Sequence, residues 1–258
     1  MSRIKNAFAS GKAFIGFITG GDPSIGKTHE FIRQMIRGGV DLIEIGIPFS
    51  DPVAEGTVIQ EANQRALASG ATPKKLFGLV EEIRAESEIP IVFLTYLNPV
   101  YRIGYGEFFD RCAKAGVDGL IIPDLPFEEQ VEVKSVSSGF GVDVISLVAP
   151  TSEGRIKKIA SEAEGFVYIV SSMGVTGIRS EIKTDLKSIV SSVKSYSTVP
   201  VAVGFGINTP SQASSVAEIA DGVIIGSAIV KIAAEYGGDA GEHIYEYVKS
   251  IKAAISLC

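Results

Sequence analysis

The sequence has little of the chemistry that builds disulfide-rich or metal-binding proteins: two cysteines, two histidines and no tryptophan. Cys112 lies in a helical pattern and Cys258 at the last position, so no disulfide framework is predicted and a reducing cytoplasm is expected. His29 and His243 both fall in helical patterns as well. We therefore predict no metal site.

Long uncharged apolar runs are also missing. No stretch approaches the roughly 18 residues of a membrane span, and the first residues lack the apolar centre of a signal peptide, so no membrane association is expected. The net charge is −6, spread along the chain. Such a surface repels a phosphate backbone and argues against nucleic acid as a partner, although backbone amides can still bind a small phosphate.

Short apolar runs and amphipathic segments alternate along all 258 residues. The runs are apolar on both alternating sets of positions, which is typical of parallel strands that are buried on both faces. They are Ala13–Thr19, Leu42–Ile47, Ile91–Thr95, Gly119–Pro123, Val142–Val148, Phe166–Val170, Val201–Phe205 and Gly222–Ile225.

Helix-start signals separate these runs. Ser24, Thr72 and Thr209 are predicted helix caps, and the last two precede a proline at the first helical position. Further helical segments follow Gly56 and Gly238. The pattern predicts an α/β fold, a single (β/α)8 TIM barrel with extra helices over residues 1–258; a doubly wound open sheet is the alternative.

An acidic residue recurs just before several strands. Asp41 and Asp118 each end a Gly-Val-Asp sequence, and Asp221 starts an Asp-Gly-Val sequence at strand eight. With eight βα units and no break in composition, this repetition favours one closed barrel over two domains.

Glu44 is the first candidate for chemistry, because it lies inside an apolar strand. Burial raises the pKa of a carboxyl group and suits it to proton transfer near neutral pH. The alternative is a structural glutamate paired with an arginine or an amide. The following loop carries Asp51, Pro52 and Glu55, and so offers a second carboxylate, unless it is an ordinary solvated loop.

Other polar residues follow strand ends. Asp124 ends strand four, where a capping aspartate is the alternative. Tyr96 follows strand three and Tyr168 lies within strand six, and tyrosines at such positions are usually core residues.

Glycine clusters follow the last three strands. They occur at 174–177, 204–206 and 226–227, where chemistry in such barrels is expected. Any one of them suits an ordinary turn. Because glycine lets backbone amides approach an anion and helix N-termini favour negative charge, three clusters at consecutive strand ends predict a phosphate site.

Lysine is absent from the strand interiors, since none of the fifteen lysines falls within a predicted strand core. A Schiff-base mechanism is therefore poorly supported, as is a zinc mechanism. Acid–base chemistry by carboxyl groups remains.

Over nearly its whole length the sequence resembles tryptophan synthase alpha chains. The resemblance is densest at residues 41–52, 123–129, 165–170, 174–177 and 204–207, with Phe17, Thr19, Asp22 and Pro23 in the first strand and loop. It implies a lyase that cleaves indole-3-glycerol phosphate into indole and glyceraldehyde 3-phosphate, the last steps of tryptophan biosynthesis.

The resemblance also implies site residues. Glu44 matches the family's general acid–base, Glu55 falls where the family has a catalytic aspartate that holds the indole N–H, and Tyr168 matches a tyrosine beside the reacting side chain. Phosphate-binding amides are expected at Gly177, Gly206, Gly226 and Ser227, and pocket residues at Phe17, Ile59, Leu94, Tyr96, Thr176 and Phe205.

Two positions depart from the family pattern. Glu55 is longer than aspartate by one methylene group, which moves the carboxylate by up to ~1.5 Å. Thr57 stands where a proline is expected. We expect retained activity with altered dynamics of the loop.

A partner is implied too. Family alpha chains bind a beta subunit that carries pyridoxal phosphate, commonly as two alpha and two beta chains, so no cofactor is expected in this chain. Asp51, Pro52 and Asp124 are predicted in loops facing that partner, and residues 48–55 and 171–181 in loops that close over substrate. Two alternatives remain: another phosphate-binding barrel such as a sugar-phosphate isomerase or epimerase, and a weakly catalytic regulatory alpha-like subunit.

Overall fold

Eight parallel strands form a closed barrel in the computed structural model, which describes residues 2–150, 153–170, 182–204 and 206–258. Each strand pairs with the next in sequence, and β8 pairs with β1, so the barrel prediction is confirmed and the open sheet is wrong. The strands are β1 (Ala13–Thr19), β2 (Leu42–Gly46), β3 (Ile91–Leu94), β4 (Gly119–Ile121), β5 (Asp143–Val148), β6 (Val167–Val170), β7 (Val201–Gly204) and β8 (Gly222–Ile225).

Helices surround the barrel over the same described ranges. They are α1 (Ile25–Gly38), α2 (Thr57–Ala68), α3 (Pro73–Arg84), α4 (Leu97–Ile103), α5 (Tyr105–Ala115), α6 (Gln130–Ser137), α7 (Glu153–Ser161), α8 (Ile182–Tyr196), α9 (Pro210–Ala217), α10 (Ser227–Tyr236) and α11 (Gly241–Ile255). No helix in the described part of the chain is long and apolar enough to cross a membrane.

The three predicted helix caps are confirmed. The side chains of Ser24, Thr72 and Thr209 each accept a hydrogen bond from the backbone N–H three residues later, which satisfies a donor that the helix leaves unpaired. At Thr209, Gln212 completes a capping box by bonding back to the cap residue. The helix starts are thus determined by local sequence.

Several strands are shorter than predicted. β4 ends at Ile121 rather than Pro123, and proline has no N–H for a strand ladder. β2 ends at Gly46, although Ile47 still donates to the Leu94 carbonyl at 2.8 Å. The predicted end of β7, Phe205, lies outside the described residues.

The recurring acid before a strand has a structural role. Asp41, Asp118, Glu164 and Asp221 precede the even-numbered strands, and each accepts the N–H of the first or second residue of the odd-numbered strand before it, at 2.7–3.2 Å. Lysine or arginine pairs with the three aspartates: Lys252 with Asp41, Arg84 with Asp118 and Lys194 with Asp221. These contacts stabilise the amino-terminal end of the barrel.

The same end is closed by a short 3-10 helix, Ile4–Phe8. Ile4 and Ala7 pack with inward-facing strand residues such as Ile15, Leu42 and Val92 in one buried cluster. Since this end is filled by apolar side chains, the opposite end, formed by the carboxyl ends of the strands and the loops that follow, is left for chemistry; we call it the barrel mouth.

Candidate active site at the barrel mouth

Glu44 points into the barrel from β2. Its neighbour two residues back, Leu42, belongs to the interior cluster, and side chains alternate along a strand, so Glu44 shares the inward face. Opposite it on β1 lies Phe17. Glu44 is only 1% exposed, and its Oε2 atom has no hydrogen-bond partner among the described residues.

The electrostatics of Glu44 suit proton transfer. Burial, with a smaller contribution from the charge of Glu55, raises its pKa to about 8. The partly exposed arginines of the opposite end, Arg3 and Arg84, pair with Asp118 instead. The structure thus describes a carboxyl group that is largely protonated near neutral pH and aimed into the barrel.

Glu55 supplies the second carboxyl group from the loop between β2 and α2. It is half-buried, and its Oε2 accepts a hydrogen bond from Nδ2 of Asn63 at 2.5 Å. Burial raises the pKa of Glu55, while hydrogen bonding by Asn63 and Tyr96 acts in the opposite direction. The two carboxyl groups therefore differ in environment, which separates their protonation states.

Tyr168, on β6, lies on the far side of the interior. Burial, and then the charge of Glu44, raise the pKa of its hydroxyl well above the usual value, so Tyr168 remains a neutral donor. Its ring lies against Gly204 on β7, where a Cβ would meet the hydroxyl oxygen at 2.5 Å.

Three of the predicted pocket residues share one apolar cluster. Phe17, Ile59 and Leu94 belong to it, from β1, α2 and β3 respectively. The Phe17 ring lies so close to Gly46 and Gly226 that an added Cβ would meet it at 2.7 and 3.1 Å. The cluster therefore forms an apolar wall beside Glu44.

Glycines of the predicted phosphate site lie at the ends of β7 and β8. Gly206 has a left-handed φ of +81° and open space around its Cα, while Gly226 is the N-cap residue of α10 and Ser227 its first residue. The first amides of α10 are therefore available to an anion. The predicted residues Thr176, Gly177 and Phe205 lie outside the described residues.

The remaining predicted residues surround the loop. Tyr96 is buried, and its hydroxyl accepts a hydrogen bond from the Ala54 N–H at 3.1 Å. This contact holds the backbone of the loop between β2 and α2 next to Glu55. Asp51 is exposed and Pro52 half-buried. Asp124 is exposed and accepts the Leu97 N–H at the start of α4 at 2.9 Å, a capping contact.

Sequence reasoning missed Asn63 and the ion pair of Asp22 with Arg65. Both Asp22 oxygens accept from Arg65, at 2.9 and 2.7 Å, which ties α2 to the loop after β1. The sequence does contain a signal for Asn63, because this residue lies on the same face of α2 as the small apolar residues Ala62 and Ala66. All three are buried, and a buried polar side chain needs a hydrogen-bond partner.

Other parts of the structure offer less. A cavity of about 520 Å³ lies at the amino-terminal end, lined partly by Phe8, Lys12 and Lys252, but both lysines already donate to protein oxygens. Within the described ranges, no cluster of histidine, cysteine and acidic side chains could hold a metal ion. The barrel mouth can instead exchange protons through Glu44 while Glu55 stabilises a positive charge or binds an N–H group.

Comparison with known proteins identifies relatives over nearly the full chain. Residues 4–255 match the family model described as tryptophan synthase alpha chain. The tryptophan synthase alpha chain of Lacticaseibacillus casei is 49% identical over 99% of this chain and 96% of its own length. That of Lactiplantibacillus plantarum is 48% identical over 92% of this chain and 90% of its own.

Solved structures agree. The crystal structure of tryptophan synthase subunit alpha from Legionella pneumophila has a TM-score of 0.91 and 35% identity, and all of both chains is covered. A chain from the tryptophan synthase a2b2 complex of Pyrococcus furiosus has a TM-score of 0.88 and 37% identity, covering 95% of this chain and 99% of its own.

Proposed function

Because the chain belongs to the tryptophan synthase alpha chain family, we propose that its barrel mouth cleaves indole-3-glycerol phosphate into indole and glyceraldehyde 3-phosphate. The chain is a lyase of the tryptophan synthase type. The roles proposed below depend mainly on one observation. Glu44 is a buried carboxyl group with a pKa of about 8, beside a second carboxyl group, Glu55.

Glu44 carries the proton in both directions. In its protonated form it gives a proton to the ring carbon that bears the glycerol phosphate chain, and the positive ring then withdraws electrons from the adjoining bond. The hydroxyl on the neighbouring carbon returns a proton to the Glu44 carboxylate as the carbon–carbon bond breaks. An aldehyde forms, and the electrons of the broken bond restore the indole ring.

The other residues bind and orient. Glu55 accepts the indole N–H and stabilises the positive ring, and Tyr168 lies beside the breaking bond. Phe17, Ile59, Leu94 and Tyr96, with Thr176 and Phe205, surround the indole. The phosphate binds amides of Gly206, Gly226 and Ser227, together with Gly177. Because the substrate ring itself accepts the electrons, this proposal requires no cofactor of this chain.

The proposal extends to assembly. A relative of known structure is part of an a2b2 complex, and we assign the same beta partner, which would hold the pyridoxal phosphate, to this chain. Asp51, Pro52 and Asp124 are the proposed contacts with it. The whole chain is proposed to be one domain, and the free cysteines Cys112 and Cys258 support a cytoplasmic location.

Indole release from indole-3-glycerol phosphate tests the proposal, with and without the beta subunit. We expect Glu44→Gln to lower kcat roughly 10²- to 10⁴-fold and the beta subunit to raise parental turnover. Glu61→Gln, at an exposed position of α2, is the matched control. A parental rate in Glu44→Gln would refute the role of Glu44.

Two other results would replace the proposal. No indole from the parent under any condition, combined with activation of the beta subunit, would indicate a regulatory chain. Isomerisation of a sugar phosphate without indole release would indicate a different barrel enzyme. If the turnover of the parent does not change when the beta subunit is added, the proposed activation by that subunit is refuted.

A further inference from the structure

The Glu55 side chain is held by Asn63, a residue that has no role in the proposed reaction described above. Nδ2 of Asn63 donates to Glu55 Oε2 at 2.5 Å, across eight residues of sequence. Asn63 is 4% exposed, so water does not compete freely for its amide. Among the described residues, the Glu55 carboxylate is the one hydrogen-bond partner of this buried amide, which makes the contact specific.

The helix that carries Asn63 is itself fixed to the barrel. Two residues after Asn63, Arg65 makes its double contact with the buried Asp22. One turn further, the Ser69 hydroxyl donates to the Gly21 carbonyl at 2.9 Å. Because α2 is tied to the loop after β1 at these points, Asn63 presents its amide from a fixed position.

The backbone on either side of Glu55 is also held. Tyr96 accepts the Ala54 N–H, and the Gln60 side chain donates to the Glu55 carbonyl at 2.7 Å. The Glu55 side chain thus leaves a fixed point and ends at a fixed donor. This arrangement matters for a glutamate, whose extra rotatable bond gives the carboxylate more positions than an aspartate has.

We propose that Asn63 is a positioning residue that holds the Glu55 carboxylate in place and in its ionised form, so that Glu44 is the carboxyl group that carries the proton. The inference rests on the proposed function. An amide N–H stabilises a carboxylate more than a neutral acid, and a charged Glu55 disfavours charge on Glu44.

The electrostatic surroundings agree with this division. Among the described residues, the titratable groups that face Glu55 are Glu44 on β2 and Tyr96 after β3, and Tyr168 on β6 faces Glu44. Burial raises the pKa of Glu55, and the Asn63 hydrogen bond offsets part of that rise. Burial and then the charge of Glu55 raise the pKa of Glu44. The two carboxyl groups are therefore coupled by charge, and the Asn63 hydrogen bond acts on Glu44 through Glu55.

Asn63→Leu, which keeps the size of the side chain and removes the donor, is the main test. We expect kcat to fall roughly 10- to 100-fold with little change in KM. The acid limb of the pH profile of kcat should move up by roughly one pH unit, because Glu55 then protonates more easily. The alkaline limb should stay in place, because Glu55 is ionised at that pH with or without Asn63. The control is Gln64→Leu, at the next residue, which lies on the exposed face of α2; it should change neither kcat nor the pH profile.

A double variant separates positioning from a general structural effect. In the Glu55→Gln background, Asn63→Leu should cost no further activity, because its partner has lost the charge. An equal loss in both backgrounds, or a rate loss that leaves both pH limbs in place, would overturn the proposal. If Asn63→Leu does not fold, Asn63→Ala removes the same donor with a smaller side chain.

Titration of carboxyl-labelled glutamate by NMR gives a readout that does not require activity. The Glu55 signal, identified by its absence in Glu55→Gln, should titrate at higher pH in Asn63→Leu than in the parent. An unchanged titration would refute the contact. A shifted titration in a chain that releases no indole would refute the proposed function but leave the contact established.

Discussion

The Tyr168 ring lies directly against the backbone of Gly204 on the neighbouring strand. A Cβ at position 204 would stand 2.5 Å from the Tyr168 hydroxyl oxygen and 2.9 Å from its Cε1 and Cζ atoms. Real Cβ atoms do not approach other atoms so closely. The absence of a side chain at Gly204 therefore lets the Tyr168 ring lie against β7, across the barrel interior from Glu44.

Gly204→Ala should displace Tyr168. We expect kcat for indole release to fall roughly 10- to 100-fold and the free energy of unfolding to fall by about 1–3 kcal/mol, as in overpacked cores. Gly78→Ala, on α3 with open space around it, should leave kcat unchanged and stability equal or slightly higher. An unchanged kcat in Gly204→Ala would show that the position of Tyr168 does not matter.

Glu55→Asp and Glu55→Gln separate geometry from charge. Aspartate keeps the charge but withdraws the carboxylate by ~1.5 Å from Asn63, so kcat should fall by at most roughly 100-fold. Glutamine keeps the length but loses the charge that we propose stabilises the positive ring, so kcat should fall by roughly 10²- to 10³-fold. Steady-state indole release measures both. Parental turnover in Glu55→Gln would remove this residue from the mechanism.

Glu44 should make the protein less stable as pH rises. Its pKa is raised from 4.5 to about 8 in the folded chain, so between these values the folded state binds more protons than the unfolded state. The contribution to the free energy of unfolding then decreases by roughly 1.4 kcal/mol per pH unit. Below pH 4.5 the penalty is absent, and above pH 8 it is complete.

Urea unfolding from pH 4 to 9 measures this effect as the difference between the parent and Glu44→Gln. The variant should gain stability relative to the parent as pH rises through that window. Glu61→Gln controls for the loss of a carboxyl group at an exposed position. A constant difference between parent and Glu44→Gln would mean that Glu44 has an ordinary pKa.

Asp118→Asn should weaken the fold without changing the chemistry. Asp118 accepts hydrogen bonds from Arg3, Arg84 and the Ile91 N–H, and is 2% exposed. Removing its charge takes a buried carboxylate away from Arg84 and from Arg3, although Arg3 still pairs with Glu88, and should cost roughly 3 kcal/mol in thermal or urea unfolding. The indole release of the folded variant should equal that of the parent, since this end of the barrel lies away from the mouth.

The control for that prediction is Glu107→Gln, which removes a partner of Arg111 in an exposed pair on α5. Such pairs contribute little, and less than about 0.5 kcal/mol should be lost. Equal losses for Asp118→Asn and Glu107→Gln would contradict the role assigned to the acids before the even-numbered strands.

Local sequence predicts the elements of this fold well. The helix starts at Ser24, Thr72 and Thr209 depend on a cap and its next turn, and the strands are predictable because both of their faces are apolar. Barrel closure follows from eight such units. The ends of β2 and β4 are less well predicted, because register with the neighbouring strand decides where pairing stops.

The sequence by itself also determined Glu44 as a carboxyl group within a buried strand, and the glycines after β7 and β8. Only the tertiary structure decided that Asn63 binds Glu55 and that Gly204 makes room for Tyr168. Periodicity within one element indicates which face of that helix or strand is buried. It does not indicate which residues of other elements the buried side chains contact. Those partners depend on how strands and helices pack around the closed barrel, a relation that no local pattern contains.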